Sequence, residues 1–255
     1  MTSRFVVAVA AIAVVCMFST DVMAVKTWET GIKAGVQTTK LRGDQIGLFV
    51  SVPPTIDVAG PVGDSKIGFV GGGFIRRNIN DMFSLQGEVL YSQKGGKGNV
   101  TGTVEYQAEN NEIYPADVDG ELTVSLDYVE VPVLAVFSFE ADERFSLVAE
   151  LGLSFAFSAR SEIKFEGQAV IDQPNFSATI RDFSRTAKIG GHIQDFDLGG
   201  VVGGGVEVLV GDYMLYFDAR LVFGFTSIDQ DGEKDVHNQA VSIFAGFGIP
   251  FGSEM

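Results

Sequence analysis

Few side chains in this sequence have the type and spacing that nucleophilic catalysis requires. The histidines are His192 and His237, and Ser242 follows the second of them in the same segment. A serine, a histidine and a carboxylate can form a hydrolytic triad. Triads are recognised by geometry, and no spacing in this sequence supports one. We therefore expect no catalytic residue, with a lipid-modifying enzyme as an alternative.

Candidates for metal or phosphate binding are equally weak. Residues 229–235 are acidic, but they lack the spacing and the terminal bidentate glutamate of a calcium loop. The glycines of residues 199–205 do not match the dinucleotide-binding spacing, and the Lys94 segment lacks the end of a P-loop. Two histidines so far apart are poor evidence for zinc. The sequence predicts no metal and no cofactor.

The first segment predicts export from the cytoplasm. Arg4 precedes an apolar run at residues 5–18, and small residues suited to a cleavage site follow. The run is shorter than the ~20 residues of a membrane-spanning helix. We expect residues 1–24 to be a cleaved signal peptide and residues 25–255 to form one domain. Cys16, the single cysteine, would leave with the signal peptide, so no disulfide is expected.

Composition narrows the class of the exported domain. The formal net charge is -15, from 18 basic and 33 acidic residues, which argues against nucleic acid as a partner. Hydrophobic residues make up 46% and charged residues 20%, so the chain is not intrinsically disordered. No later apolar stretch is long enough for a membrane helix. The domain is therefore either soluble or a membrane barrel.

Polar and apolar residues alternate with a period of two along most of the chain. The clearest runs are residues 145–158 and 213–226, where bulky residues fill one face and small or polar residues fill the other. Eight such strands are predicted. Their connections alternate between long ones, at residues 39–64, 93–121, 159–194 and 227–238, and short ones, at residues 78–81, 140–143 and 211–212. This is the layout of an all-β, eight-stranded antiparallel up-and-down transmembrane barrel with short periplasmic turns and long extracellular loops.

The composition of the two faces indicates which one meets lipid. A soluble barrel of the lipocalin type also alternates, but its outer face would be rich in charged residues. Here the second face is mostly glycine, serine and alanine, which suits the narrow interior of an eight-stranded barrel. A face of phenylalanine and leucine in water would be a far larger apolar patch than soluble monomers tolerate. We expect the bulky face to contact the lipid of the outer membrane.

Aromatic residues are placed at both ends of the predicted strands, as in the aromatic girdles of membrane barrels. The short-turn girdle is predicted to contain Trp28, Phe83, Phe139, Phe145, Tyr213 and Phe251. The long-loop girdle is predicted to contain Tyr91, Tyr128, Phe157 and Phe225.

A set of charged residues falls on the predicted inner face. Because unpaired buried charges are costly, we expect these residues to form ion pairs that plug the barrel. A narrow channel is the alternative interpretation. Pro132 falls inside a predicted strand, and a bulge near residues 130–132 would accommodate it. The inner charged residues are Glu29, Lys33, Arg76, Glu88, Glu150, Glu207, Asp218 and Arg220.

Three blocks of sequence resemble a known family. They are Gly-Ile-Lys-Ala-Gly at residues 31–35, FSLQGEVLYSQKG at residues 83–95 and LDYVEVPVL at residues 126–134. These blocks are similar to those of PorT-like outer-membrane β-barrel proteins, which are common in Bacteroidota. Pro132 lies within the third block, so it looks like a family feature. The resemblance implies an outer-membrane barrel without enzymatic activity, and some members resemble components of a secretion system.

The function expected from the sequence is that of a non-enzymatic integral outer-membrane protein. Its loops would be presented for binding, for envelope integrity or for assembly. The expected partners are outer-membrane lipid, the barrel insertion machinery and an unidentified extracellular or periplasmic protein. The insertion machinery recognises a terminal aromatic residue in many barrels, whereas here four residues follow Phe251.

Overall fold

The computed structural model describes residues 28–43, 63–107, 113–142, 144–173, 176–189, 191, 193–230 and 235–252. The predicted signal peptide, Cys16 and His192 lie outside these residues. Within the described ranges, no helix is long and apolar enough to cross a membrane.

Nine antiparallel strands form a single sheet in the described part of the chain. They are β1 (Trp28–Gly43), β2 (Lys66–Asn78), β3 (Phe83–Gln107), β4 (Ile113–Glu140), β5 (Phe145–Gln173), β6 (Phe176–Lys188), β7 (Phe196–Val210), β8 (Tyr213–Gly224) and β9 (Val236–Phe251).

Eight of these strands close into a ring. The first and last strands pair over the whole of their length, from Trp28 opposite Phe251 to Gly43 opposite Val236. Around the ring the order is β1, β2, β3, β4, β5, β7, β8, β9. Closure leaves no free edge in the ring, so every backbone polar group can be paired within the sheet, as the apolar bilayer requires. The predicted all-β, antiparallel up-and-down barrel is confirmed.

One end of the ring carries only tight turns. The β2–β3 and β4–β5 turns are each held by a side-chain oxygen, from Asn80 and Asp142, that accepts backbone N–H bonds two and three residues ahead. The β7–β8 turn has two residues, and Gly211 takes a φ of +62° there. The order of short and long connections follows the sequence prediction.

The opposite end is built of strands where long loops were predicted. β3 and β4 continue to pair beyond the ring, up to Gln107 opposite Ile113. β5 pairs with β7 as far as Phe157, and then with β6 from Glu162 onward. A four-stranded sheet, made of the outer parts of β3, β4 and β5 together with β6, therefore stands beyond the ring. We call it the extension. The prediction of loops at residues 93–121 and 159–194 was wrong in this respect.

The reason is visible in the alternation of the extension strands. Ile163 and Phe165 are buried on its inner face, whereas Glu162, Lys164 and Glu166 lie on its outer face. A strand whose outer face is charged is expected to have that face in contact with water. It does not show the bulky outward pattern that marked the membrane strands, so a search for that pattern passes over it.

Side-chain exposure follows the predicted two faces of the ring. Outward aliphatic residues are widely exposed, for example Ile67 at 77% and Leu151 at 57%. The inward residues of the same strands are buried. Such a band of exposed apolar side chains around a closed ring is the surface that lipid covers.

Pro132 is accommodated without a bulge at its own position. Its strand neighbour on β5 is Ser154, and the β3–β4 pairing keeps one register on either side of it. The register shift lies between Asp127 and Tyr128 instead. The bulge predicted near residues 130–132 therefore lies a few residues earlier in the strand and does not involve Pro132.

Candidate functional site

The interior of the ring is the most elaborate polar feature of the described chain. The structure places all eight charged residues singled out from the sequence in this interior, and all are buried. They form two groups. The lower cluster lies toward the short turns, and the central cluster lies above it.

The central cluster is organised by Arg220 of β8. Its guanidinium donates two hydrogen bonds to Glu88 of β3, at 2.6 and 2.9 Å, and two to Glu150 of β5, at 2.6 and 2.9 Å. β3 is the third strand of the ring and β8 the seventh, so Arg220 and Glu88 join opposite walls. Lys33 of β1 contacts Glu88 and Asp218 at 3.1 and 3.3 Å. The lumen is bridged at this level.

A second pair crosses the lumen in the lower cluster. Arg76 of β2 donates a hydrogen bond to Glu207 of β7, on the opposite wall, and lies 3.8 Å from Glu29. Its Nε donates to Gln86, whose amide donates to Glu88 of the central cluster. The two clusters are therefore one continuous network, in which every charged group lies within 4 Å of an opposite charge.

A third polar group lies above the central cluster and was missed in the sequence. Lys94 contacts Glu130 at 2.8 Å, and both are buried. Asn238 of β9 donates hydrogen bonds to Asp197 at 2.8 Å and to Tyr128 at 3.3 Å. Lys94 was placed in a loop, which hid its inward position on β3. Glu130 alternates in step with the other inward residues of β4, and this alternation could have placed it inside the barrel.

The packing around Arg220 contains a small void. A void of about 10 Å3 is bordered by Gln37, Glu130, Ser154, Arg220 and Ser242. That is the space of about one water molecule. Ser242 donates to Gln37 and Gln37 donates to Ser92, so the level above the central cluster is also bridged.

An apolar layer closes the long-loop end above the polar network. It joins the inner face of the extension to residues on the far side of the ring, such as Leu41 of β1 and Val236 of β9. Ile189, Ile193 and Ile228, from the connections after β6 and β8, lie between them. Because this cluster includes residues from opposite walls, it spans the mouth of the barrel.

The outer face of the extension is polar and carries exposed ion pairs. Lys97 contacts Glu121 at 2.6 Å, and Lys164 contacts Glu166 at 2.7 Å. The hydrogen bond from Lys97 holds the pKa of the Glu121 carboxyl below its usual value. Such exposed pairs contribute little to stability, so this face is free to form other contacts.

The candidate serine and histidine do not meet. Ser242 lies on the inward face of β9 and is buried, whereas His237 lies on the opposite face of the same strand. His237 is bonded through Nε2 to Asp235, at 2.8 Å, and through Nδ1 to the carbonyl oxygen of Thr226. Among the described residues, no three His, Cys, Asp or Glu side chains are arranged to hold a metal ion.

Nine of the ten predicted girdle residues lie on the outward face. Several make ring contacts there: Phe83 lies 5.4 Å from Phe137, Phe157 lies 5.5 Å from Phe196, and Tyr213 lies 5.0 Å from Phe247. The other outward girdle residues are Trp28, Tyr91, Phe139, Phe145, Phe225 and Phe251.

Tyr128 is a correction to the predicted girdle. It is 0% exposed and lies inside the barrel, 5.5 Å beneath the ammonium group of Lys94. Its position follows from parity, because Tyr128 and Glu130 point to the same side of β4. The long-loop girdle therefore does not include Tyr128.

The model of the outer membrane protein beta-barrel domain family matches residues 18–230. The chain belongs to this family. Its place is the outer membrane, with the exposed apolar band in contact with lipid. No curated protein is similar enough to count as a match.

Several solved outer-membrane proteins resemble this family member at low identity. The attachment invasion locus protein Ail of Yersinia pestis is 15% identical, with 87% of this chain and 99% of that chain covered and a TM-score of 0.34. Neisserial surface protein A is 14% identical, with 87% and 97% covered and a TM-score of 0.40. OprG of Pseudomonas aeruginosa is 10% identical, with 91% and 100% covered and a TM-score of 0.40.

Proposed function

We propose that this outer-membrane barrel is a non-enzymatic, ion-tight anchor that presents the extension outside the cell for binding or assembly. The observation that carries the proposal is the extension itself. It continues three strands of a rigid ring into water and adds β6, with its inner face buried and its outer face polar. A sheet fixed in this way offers a preformed surface, which lowers the entropic cost of binding a partner.

The proposed orientation has the tight turns in the periplasm and the extension outside. Barrels of this kind place short turns on the periplasmic side. Single-cysteine variants test the orientation, since the mature chain is expected to lack cysteine. A membrane-impermeant maleimide should label Thr186→Cys on β6 of intact cells and leave Asp212→Cys unlabelled. Labelling of only Asp212→Cys would reverse the orientation.

The resemblance to PorT-like barrels supports a finer version of this proposal. On that version the chain belongs to the PorT-like subgroup, and its partner is a protein of the cell envelope, with secretion or envelope integrity as the process served. Cross-linking from Thr186→Cys in cells, with Asp212→Cys as the matched control, identifies a partner at the extension. Cross-linking to a periplasmic protein from the control position alone would contradict it.

The filled interior supports the absence of a channel. Two cross-lumen ion pairs and an apolar layer lie in series along the axis. We expect no steady conductance from the purified protein in planar bilayers, whereas a porin of known conductance inserted in the same way gives open currents. Steady open currents from this protein would refute the ion-tight anchor.

A narrow cation path is the second candidate function. The buried charged residues of the described chain comprise eight carboxylates and four basic groups. An acidic lumen concentrates cations and repels anions. If the protein conducts, reversal potentials in a salt gradient should show cation selectivity, and anion selectivity would exclude this candidate.

A further inference from the structure

The outward face of β1 changes from apolar to basic at one level. Outward residues run from Trp28 through Ile32 and Val36, and the last two outward positions are Lys40 and Arg42. From Trp28 to residue 38 the strand rises roughly 24 Å along the membrane normal, at ~3.4 Å per residue and a tilt of ~45°. The apolar band of such barrels is ~25 Å tall. Lys40 and Arg42 therefore stand at the level of the lipid headgroups.

The neighbouring strand continues the same boundary. Val241 and Ile243 of β9 are exposed at 52% and 63% on the outward face. Gln239 pairs with Lys40, and His237 pairs with Arg42, just beyond them. The two cations thus border directly on the surface that lipid covers.

Lys40 and Arg42 differ from three exposed cations of the extension that are held in ion pairs. Lys97, Arg160 and Lys164 each contact a glutamate on the extension, within 2.7 Å. Lys40 and Arg42 are exposed and have no ion pair or hydrogen bond from their side chains to any described residue. The nearby carboxylate of Asp235 contacts His237. Two neighbouring cations without a partner among the described residues stand out on a chain whose net charge is -15.

We propose that Lys40 and Arg42 bind the phosphate groups of a phosphorylated glycolipid in the leaflet around the extension. Their Cα atoms are about 7 Å apart along one strand, so two anionic oxygens of one headgroup can be held together. A guanidinium binds phosphate through paired hydrogen bonds, and an ammonium adds a point charge. The choice of leaflet rests on the proposed orientation, whereas the phosphate contact does not.

Native mass spectrometry of the folded protein in detergent tests the contact. Bisphosphorylated lipid A is the probe, with dephosphorylated lipid A and phosphatidylglycerol as comparison lipids. The Lys40→Gln, Arg42→Gln double variant should lower the affinity for bisphosphorylated lipid A about thirtyfold. Each basic residue near an anionic lipid surface strengthens binding about fivefold, and the variant removes two of them. Wild-type protein should bind dephosphorylated lipid A as weakly as the variant binds the phosphorylated form.

The matched control removes two exposed cations away from lipid, Lys164→Gln and Lys188→Gln on the outer face of the extension. It should leave the affinity unchanged, and heat-modifiable gel mobility verifies that each variant is folded. Equal affinities of the wild type and the Lys40→Gln, Arg42→Gln variant would overturn the proposal, as would an equal loss in the control. Equally tight binding of phosphatidylglycerol would overturn the assignment to a glycolipid. Periplasmic labelling of Thr186→Cys would refute the orientation without changing these affinities.

Discussion

At the scale of single residues, the interior depends on buried carboxylates that share one basic partner. Arg220 satisfies Glu88 and Glu150 together, and all three are buried. Removing one member of such a group leaves uncompensated charge in a medium that solvates it poorly. The stability of the ring should therefore be sensitive to each cross-lumen residue and insensitive to the ion pairs of the extension.

Arg220→Met should lower the free energy of unfolding by about 3–5 kcal/mol, because Glu88 and Glu150 lose their shared partner. Urea unfolding in phospholipid vesicles, followed by the fluorescence of Trp28, measures the loss. Lys164→Met, which breaks an exposed pair, should cost at most about 1 kcal/mol. Adding Glu88→Gln to Arg220→Met should restore part of the loss. Equal effects of the two single variants would show that the interior pair does not stabilise the barrel.

Gly203 of β7 makes room for the central cluster. A Cβ atom there would lie 2.9 Å from Arg220 Cγ and 3.0 Å from Glu150 Oε2. We expect Gly203→Ala to destabilise the barrel by about 1–3 kcal/mol through overpacking. Gly73→Ala is the matched control, since its Cβ would meet no atom closer than 3.5 Å. The same unfolding measurement compares them, and a neutral Gly203→Ala would mean that the cluster shifts freely.

At the scale of elements, β5 is one strand in two environments. Its first half, which pairs with β7, presents leucine and phenylalanine outward, whereas its second half, which pairs with β6, presents charged residues outward. Backbone pairing with β4 is continuous through both halves apart from the shift at Asp127. The change from lipid to water along β5 is therefore marked by its outward side chains, while its pairing with β4 continues.

Leu151 tests where the lipid begins and ends along β5. It stands midway between the girdle residues Phe145 and Phe157, so Leu151→Arg places a charge at the bilayer midplane. The expected loss of stability is about 2–4 kcal/mol in vesicles. Gln168→Arg on the outer face of the same strand should change stability by less than about 0.5 kcal/mol. A harmless Leu151→Arg would mean that water, and not lipid, covers this face.

At the scale of the whole molecule, the exposed apolar band determines which solvent the protein requires. An apolar belt around the full circumference exceeds what a soluble monomer exposes. The mature chain refolded into detergent micelles should be monodisperse by light scattering, and after dilution into detergent-free buffer it should aggregate. A folded, monodisperse protein in plain buffer would contradict the membrane assignment.

Much of the ring was predictable because each membrane strand repeats one simple rule. Side chains alternate between lipid and a crowded interior, so Arg76, Glu88 and Arg220 could be assigned to the inner face from parity alone. Tyr128 obeys the same parity, and it was misplaced only because aromatic residues were expected at the interface. The extension was not predicted as strands, since residues 93–107 and 159–188 lack the bulky face that lipid imposes.

The sequence by itself predicted export. It determined the period-two strands, their closure into a barrel and the inner or outer face of most residues in the ring, because these depend on local alternation and on the solvent each face meets. The tertiary structure alone decided which charges pair, that Arg220 and Arg76 cross to opposite walls and that an apolar layer closes the mouth. It also decided that Lys40 and Arg42 have no side-chain partner in the described part of the chain. Those contacts join residues far apart in sequence, and only the register of the closed ring brings them to one level.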